Sequence, residues 1–164
     1  MTESDRTVNT VEIRDELPED REAVWQVEAD AFGRPDEADL LAKLEPDKAF
    51  SLVATVGGEV VGHVLFTWLP ISEHRALALA PLAVRPGAQG KGVGGELVRQ
   101  GLARARALGV PAVVVLGDPA YYGRFGFAHD PKITQSYGWP DEAFQVVKYR
   151  EIAGEAAYPQ GFFL

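Results

Sequence analysis

The sequence predicts a mixed α/β domain of the α+β type, with a partly antiparallel central sheet and helices on both faces. Three observations predict it. Apolar residues fall at helical spacing early in the chain and again from residue 93 to residue 108. Between these stretches the period becomes that of strands, with Gly57-Gly58 placed as a turn between antiparallel partners. A strand, a glycine-rich loop, the long helix and a short apolar run then follow in βαβ order. The expected order of elements is β-α-α-β-β-β-α-β-α-β-β.

The first ten residues are expected to be disordered, and residues 11–164 to form one domain. Residues 11–17, with Val11, Ile13 and Leu17 apolar, alternate as a first strand. After Pro18 a helical stretch carries Val24, Trp25, Val27, Glu28 and Ala31 and closes at Phe32-Gly33. A second short helix begins near Pro35-Asp36, places Leu40, Leu41 and Leu44 at helical spacing, and stops at Pro46. Residues 50–56 and 59–69 read as paired strands, the second ended by Pro70, and residues 75–84 as a further apolar segment. Val93, Leu97, Val98, Leu102, Ala105 and Leu108 mark one face of the long helix. Arg104 and Arg106 suit its C-terminal dipole, and Gly109 its cap. Residues 111–117 contain AVVVL, fit for a strand buried on both faces. Asp118-Pro119 reads as N-cap and first residue of a short helix through Tyr121, Tyr122 and Phe125. Phe127 starts another strand, residues 132–141 form a loop, residues 144–152 a late strand, and residues 158–164 an apolar tail packed on the domain.

Composition narrows the classes. A chain of 164 residues supports one domain with a real core. Its formal net charge of -8 argues against binding nucleic acid, which rests on clustered Lys and Arg. Without cysteine there is no disulfide, thiolate metal site or cysteine nucleophile, which fits the reducing cytoplasm. The polar N-terminus lacks a signal-peptide pattern, and the longest apolar run, residues 76–84, is too short to cross a bilayer. A soluble cytoplasmic protein is therefore expected, with no membrane partner. Three scattered histidines show no metal-ligand spacing, and no G-x-S-x-G elbow is present.

The chemistry is concentrated in residues 79–127. Their first half is a strand, the loop GAQGKGVGG, and a helix. Glycines let a ligand approach the backbone closely, and free N–H groups at a helix start converge on an anion, usually a pyrophosphate. Lys91 can add a charge-assisted contact. A P-loop is excluded: the position of its first glycine holds Arg85, and Gly92 replaces the hydroxyl residue after Gly90-Lys91. Gly90, Gly92 and Gly95 do spell a dinucleotide fingerprint, with Asp118 about twenty residues on, which leaves an NAD(P)-dependent oxidoreductase as a rival. Against it, the segment begins past the middle of a short chain, and helix capping accounts for Asp118.

A third reading is coenzyme A. Gln89, Gly92 and Gly94 match the Q/R-x-x-G-x-G/A motif of the GCN5-related N-acetyltransferases, and Tyr122, Gly126 and Phe127 match that family's Y-x-x-x-G-F ending. The middle third of the chain resembles a bacterial subgroup of the family with a GDPAYYxRFGF-type motif. The resemblance implies an N-acetyltransferase that uses acetyl-coenzyme A as co-substrate, needs no metal, and transfers acetyl to a primary amine by direct attack in a ternary complex. It implies pyrophosphate binding by Gln89, Gly90, Lys91, Gly92, Val93, Gly94 and Gly95. It implies contacts from Leu82, Ala83 and Val84, on a bulged fourth strand, to the pantetheine arm, with Pro81 marking the bulge. Tyr122 is implied as the acid that protonates the departing thiolate, with aromatic packing as its plain alternative. A non-catalytic acyl-coenzyme A sensor of the same fold is the other alternative.

Glu28, Glu59, Glu73, His63, His74 and His129 are candidate bases by type, with none singled out. Substrate selection is assigned to residues 32–44, 70–75 and 132–141, where Trp68, Tyr137 and Trp139 either line a pocket or fill the core. Arg99, Arg104 and Arg106 are expected to face solvent, and the apolar C-terminus, residues 161–164, is compatible with a homodimer.

Overall fold

The computed structural model describes residues 10–163. The disorder expected for the first ten residues therefore concerns positions that, apart from Thr10, lie outside the described residues, as does Leu164. The chain runs β1 (Val11–Asp15), α1 (Arg21–Phe32), α2 (Asp36–Leu44), β2 (Lys48–Val56), β3 (Glu59–Ile71), β4 (His74–Val84), α3 (Val93–Ala107), β5 (Ala112–Leu116), α4 (Pro119–Tyr122), β6 (Ile133–Thr134), β7 (Phe144–Lys148) and β8 (Gly154–Glu155). Six strands form one sheet in the order β1-β2-β3-β4-β5-β7, and β6 pairs with β8 separately. Within the large sheet only β4 and β5 run parallel. The sequence predicts a mixed, partly antiparallel α/β sheet, and the sheet is mixed and mostly antiparallel.

Alternation along the strands divides the core between two layers. Leu77 and Leu79 of β4 and Val113 and Val115 of β5 pack with Leu97 and Val98 of α3. Ala76, Ala78, Ala112 and Val114 face the other way, onto Phe144, Ile152 and Ala156. Further along that second face, Val53, Val60 and Ala83 receive Val24 and Val27 of α1. The helices thus cover both faces, and β5, apolar throughout, is buried on each side from Ala112 to Val115, with Leu116 exposed at its end.

Several boundaries differ from the sequence reading, four of them by more than a residue or two at an element end or in kind. Pro70 does not end β3; it lies inside the strand opposite Arg75, near the hairpin turn. Its carbonyl is used by Ala157 N–H at 2.9 Å, so the chain there is held from outside the ladder. Phe127 starts no strand: a 3-10 turn (Gly123–Phe125) precedes it, and only Ala128 bridges to Val146. The expected loop at residues 132–141 contains β6, which takes β8 as partner. The late strand stops at Lys148: Tyr149 N–H still donates in register to Pro111 O at 2.8 Å, but Pro111 has no N–H with which to return the bond.

Two features of β4 position the site. Val64 pairs with Leu82 but Phe66 with Leu79, so Ala80 and Pro81 oppose Leu65 alone. That is the bulge signalled by Pro81, and the Ala80-Pro81 peptide is cis. The second feature is a divergence. β4 and β5 are registered only at Leu77–Val113 and Ala78–Val114, and beyond them β4 continues to Val84 with no β5 residue opposite.

Candidate active site

The divergence leaves one edge of β4 open beyond Ala78. Arg85 N–H donates to Val61 O of β3 at 2.8 Å. Since N–H groups alternate sides along a strand, those of Leu82 and Val84 point away from β3 to the open edge, and that of Ala83 points to β3. Of the three residues expected to contact a pantetheine arm, Leu82 and Val84 also line the adjoining groove with their side chains, whereas Ala83 packs under α1.

That groove has a volume of about 460 Å³ and is lined by the end of β4, the glycine loop, the first turns of α3, Tyr121 and Arg124. Gly92 is the N-cap of α3 with φ 82°, a left-handed conformation that a side chain would strain. Having no side chain, it caps nothing, so the first N–H groups of α3 keep their donors and the positive dipole end for a ligand. Glu96 N–H is the first to close a helical bond, to Gly92 O at 3.1 Å. Gln89 braces the loop by donating Nε2 to Val84 O at 2.9 Å.

The expected pyrophosphate residues divide. Gln89, Gly90, Gly92, Val93, Gly94 and Gly95 line the groove. Lys91 is exposed and lines a neighbouring cavity with Arg85 and Glu59. The two tyrosines also divide. Tyr121 lines the groove, while Tyr122 packs into the core, edge-on to Phe127 at 5.7 Å between ring centroids. Burial, aided by Tyr121, pushes the Tyr122 phenol up to about 12. Burial also raises Tyr121, against the nearby Arg124 and Arg99 guanidiniums. Asp118 accepts from Ala120 N–H at 2.9 Å, the N-cap its sequence announces. An acid committed to that cap, in a sheet with a single parallel pair, does not fit a dinucleotide fold.

The candidate bases fall into two groups. Glu59 is paired with Arg85, Glu73 is adjacent to His74 at the β3–β4 turn, and His129 is exposed. His63 and Glu28 are buried together, with His63 Nδ1 2.7 Å from Glu28 Oε2. His63 Nε2 faces Glu16 at 3.5 Å, and Glu16 accepts from Ser51 Oγ at 2.6 Å. Glu16 drew no attention in the sequence because it sits at a strand end, far in the chain from both partners. Burial would lower the His63 pKa, but the two carboxylates outweigh it and raise it. A cavity of about 150 Å³ opens beside His63, Glu16, Lys48 and Trp25, between β3 and the first two helices.

The three segments assigned to substrate selection are tied together by the C-terminus. Ser72 N–H donates to Glu155 O at 2.9 Å. Tyr158 N–H donates to the Tyr137 hydroxyl at 2.8 Å, and Tyr137 stacks on Trp139 with centroids 4.5 Å apart. Gly161 packs on the backbone of Lys43 in α2. Trp68 is elsewhere, with the Arg75 guanidinium 3.7 Å over its ring. Among the described residues no helix is long and apolar enough to cross a membrane, and no cluster of three His, Asp or Glu has metal-holding geometry.

Known proteins are similar to this chain in sequence and fold. The chain is 42% identical over 134 residues to the uncharacterized N-acetyltransferase YjhQ of Escherichia coli K12, covering 75% of this chain and 74% of the relative. It is 36% identical over 148 residues to the uncharacterized N-acetyltransferase YhbS of the same strain, covering 86% and 89%. The crystal structure of Escherichia coli YhbS in complex with CoA superposes with a TM-score of 0.88 at 31% identity, over 94% of this chain and 92% of that one. A GNAT family acetyltransferase from Brucella melitensis in complex with acetyl-CoA gives 0.79 at 33% identity, over 93% and 98%. The sequence profile of the acetyltransferase (GNAT) family matches residues 10–127, from β1 through the Y-x-x-x-G-F ending, and the chain belongs to that family.

Proposed function

We propose that the protein is an N-acetyltransferase that moves an acetyl group from acetyl-coenzyme A to a primary amine by direct attack in a ternary complex. One observation carries the reading: the uncapped N-terminus of α3 meets the open edge of β4 beyond its bulge. The first supplies donors for a pyrophosphate, and the second supplies donors for an extended amide-bearing arm. The YhbS and Brucella melitensis proteins, which share the fold, were crystallised with CoA and acetyl-CoA.

In this reading the N–H groups of residues 92–95 hold the pyrophosphate, with Gln89 keeping the loop in shape and Lys91 adding charge from its outer side. Leu82 and Val84 hold the pantetheine arm. A β4 N–H beside the bulge polarises the thioester carbonyl, where a fixed dipole stabilises developing negative charge. Alignment of amine and thioester supplies much of the rate. Tyr122 keeps its proton at neutral pH, with its phenol pushed up to about 12, and donates it to the departing thiolate. The amine enters from the face bearing α1, α2 and the C-terminal segment, and the reaction runs in the cytoplasm.

The test is calorimetric titration of acetyl-coenzyme A, with NADH as control, into wild type and Gly92→Asp. Binding of acetyl-coenzyme A alone, lost in the variant, supports the reading. Absence of binding to wild type sinks it.

A further inference from the structure

Gln145 of β7 is a polar side chain only 1% exposed, and neither the family motif nor the proposed chemistry uses it. It lies opposite Val115 of β5, two residues before Val147, which lies opposite Val113. Directly opposed residues share a face, so Gln145 points to the layer that holds α3, where Tyr122 and Phe127 also pack. A buried amide costs stability unless it is hydrogen-bonded, and an apolar residue would fill the place without that cost. Gln145 does bond: its Nε2 donates to Gly117 O at 3.1 Å and to Ala143 O at 3.4 Å. Both partners are carbonyls, which fixes the amide nitrogen toward them. Gly117 N–H donates to the same Ala143 O at 2.9 Å. The peptide groups on both sides of Gly117 are therefore held, its carbonyl by the Gln145 side chain and its N–H by Ala143.

Gly117 is also the wall on which Tyr122 rests. A Cβ there would lie 2.6 Å from Cε2 and 3.0 Å from Cδ2 of the Tyr122 ring, so the ring lies directly on the glycine backbone. The other walls are rings: Tyr121 stands edge-on at 4.9 Å and Phe127 at 5.7 Å between centroids. Asp118, the next residue, accepts from Tyr121 N–H at 3.1 Å and Tyr122 N–H at 3.0 Å through its backbone carbonyl. The phenol is thus placed from both ends through one short stretch of chain. Its ring rests on Gly117, its backbone is bonded to Asp118, and a shift of Gly117 moves both.

We propose that Gln145 is a positioning residue for Tyr122: by tethering the Gly117 carbonyl it fixes the wall and the helix start that aim the phenol at the departing thiolate. The proposal rests on the coenzyme reading above and on Tyr122 as its acid. Gln145 does not line the groove at the start of α3, so its removal slows turnover and spares coenzyme affinity. A proton donor works only within hydrogen-bond reach of the atom it serves, and a misplacement of about 1 Å costs up to about 100-fold in rate.

The experiment is steady-state kinetics, with an amine returned by an acetylation screen, on wild type, Gln145→Met, Tyr122→Phe and the double variant. Gln145→Met is expected to lower kcat about 10-fold, with KM for acetyl-coenzyme A within about twofold of wild type. On the Tyr122→Phe background the same substitution is expected to change kcat by less than about twofold, because its effect runs through the hydroxyl. Equal losses in the two backgrounds overturn the proposal, since a role in folding alone acts in both. Unchanged kcat in Gln145→Met overturns it too. If Gln145→Met does not fold, Gln145→Glu makes the comparison: its carboxylate repels the two carbonyls, and its protonated form restores one donor. Turnover of that variant relative to wild type is expected to rise as pH falls, and to stay flat on the Tyr122→Phe background. A ratio that behaves alike in both backgrounds overturns the proposal. If Tyr122→Phe turns over as wild type does, the acid assignment falls and this inference with it, while the coenzyme reading stands. If wild type does not bind acetyl-coenzyme A, the coenzyme reading falls first.

Discussion

The Tyr121 hydroxyl lies so close over Gly94 that a Cβ there would sit 2.7 Å from the oxygen. A residue of α4 thereby closes the groove on the helix start, and the glycine is required by proximity, not by backbone conformation. Gly94→Ala must push Tyr121 aside, which moves the end of one partly buried side chain and leaves the fold intact. The expected loss of stability is below about 1 kcal/mol. Acetyl-coenzyme A affinity is expected to fall about 3- to 10-fold, because the wall shifts at the pyrophosphate. Calorimetry beside urea denaturation checks both; an unchanged affinity means that Tyr121 does not shape the site.

The neighbouring tyrosines separate by kinetics. Tyr122→Phe removes one hydroxyl from a packed ring, so the protein should melt as wild type does. With an amine returned by an acetylation screen, kcat is expected to fall about 100-fold, the scale of a general acid, with KM for acetyl-coenzyme A within about twofold. Tyr121→Phe should do the reverse, raising KM and sparing kcat. Unchanged turnover in Tyr122→Phe removes the acid and leaves the ring as packing.

His63 and Glu28 form a hydrogen-bonded pair with side-chain exposures of 1% and 0%. Removing one partner of such a pair costs about 3–5 kcal/mol, whereas replacing both with apolar residues is near neutral. His63→Leu is therefore expected to be strongly destabilised, and His63→Leu with Glu28→Leu to recover most of the loss. Urea midpoints of the single and double variants decide it; strict additivity would show that the two do not act as a pair.

Local signals made much of this architecture legible. Gly57-Gly58, the AVVVL run and the Asp118-Pro119 cap each act within a few residues, and each element formed where its residues place it. Pro81 announced a bulge because a missing N–H has only local remedies. What stayed hidden depends on distant chain. β6 exists because β8 lies beside it, and no periodicity in two residues could show that. Arg99 is exposed, as expected, but the groove it also lines is completed by Arg124, which follows β5 and α4 in the chain. Glu16 meets His63 only through the pairing of β1 with β2 and of β2 with β3.

That cluster sets the pH dependence of stability. Burial raises the Glu16 carboxyl, but His63, Ser51 and Lys48 together bring it from 4.5 down to about 2. A depressed carboxyl stabilises the fold above its unfolded value, so this contribution is lost as pH falls from 4.5 toward 2. Asp20, lowered by its hydrogen bond from Arg14, and Asp130, lowered by that from Lys148, add to the same acid limb. His63 has the opposite sign. Burial lowers it, but Glu16 and Glu28 raise it above 6.5, so its contribution is complete below 6.5 and is lost as pH rises through the raised value. Stability is expected to peak between the two limbs. Glu16→Gln should shrink the acid limb by removing the largest of its three carboxyl shifts, and should also weaken the alkaline limb because His63 loses one counter-charge. Urea midpoints from pH 2 to pH 9 for wild type and Glu16→Gln provide the measurement. A variant that lost only the acid limb would show that Glu28 alone holds the proton on His63.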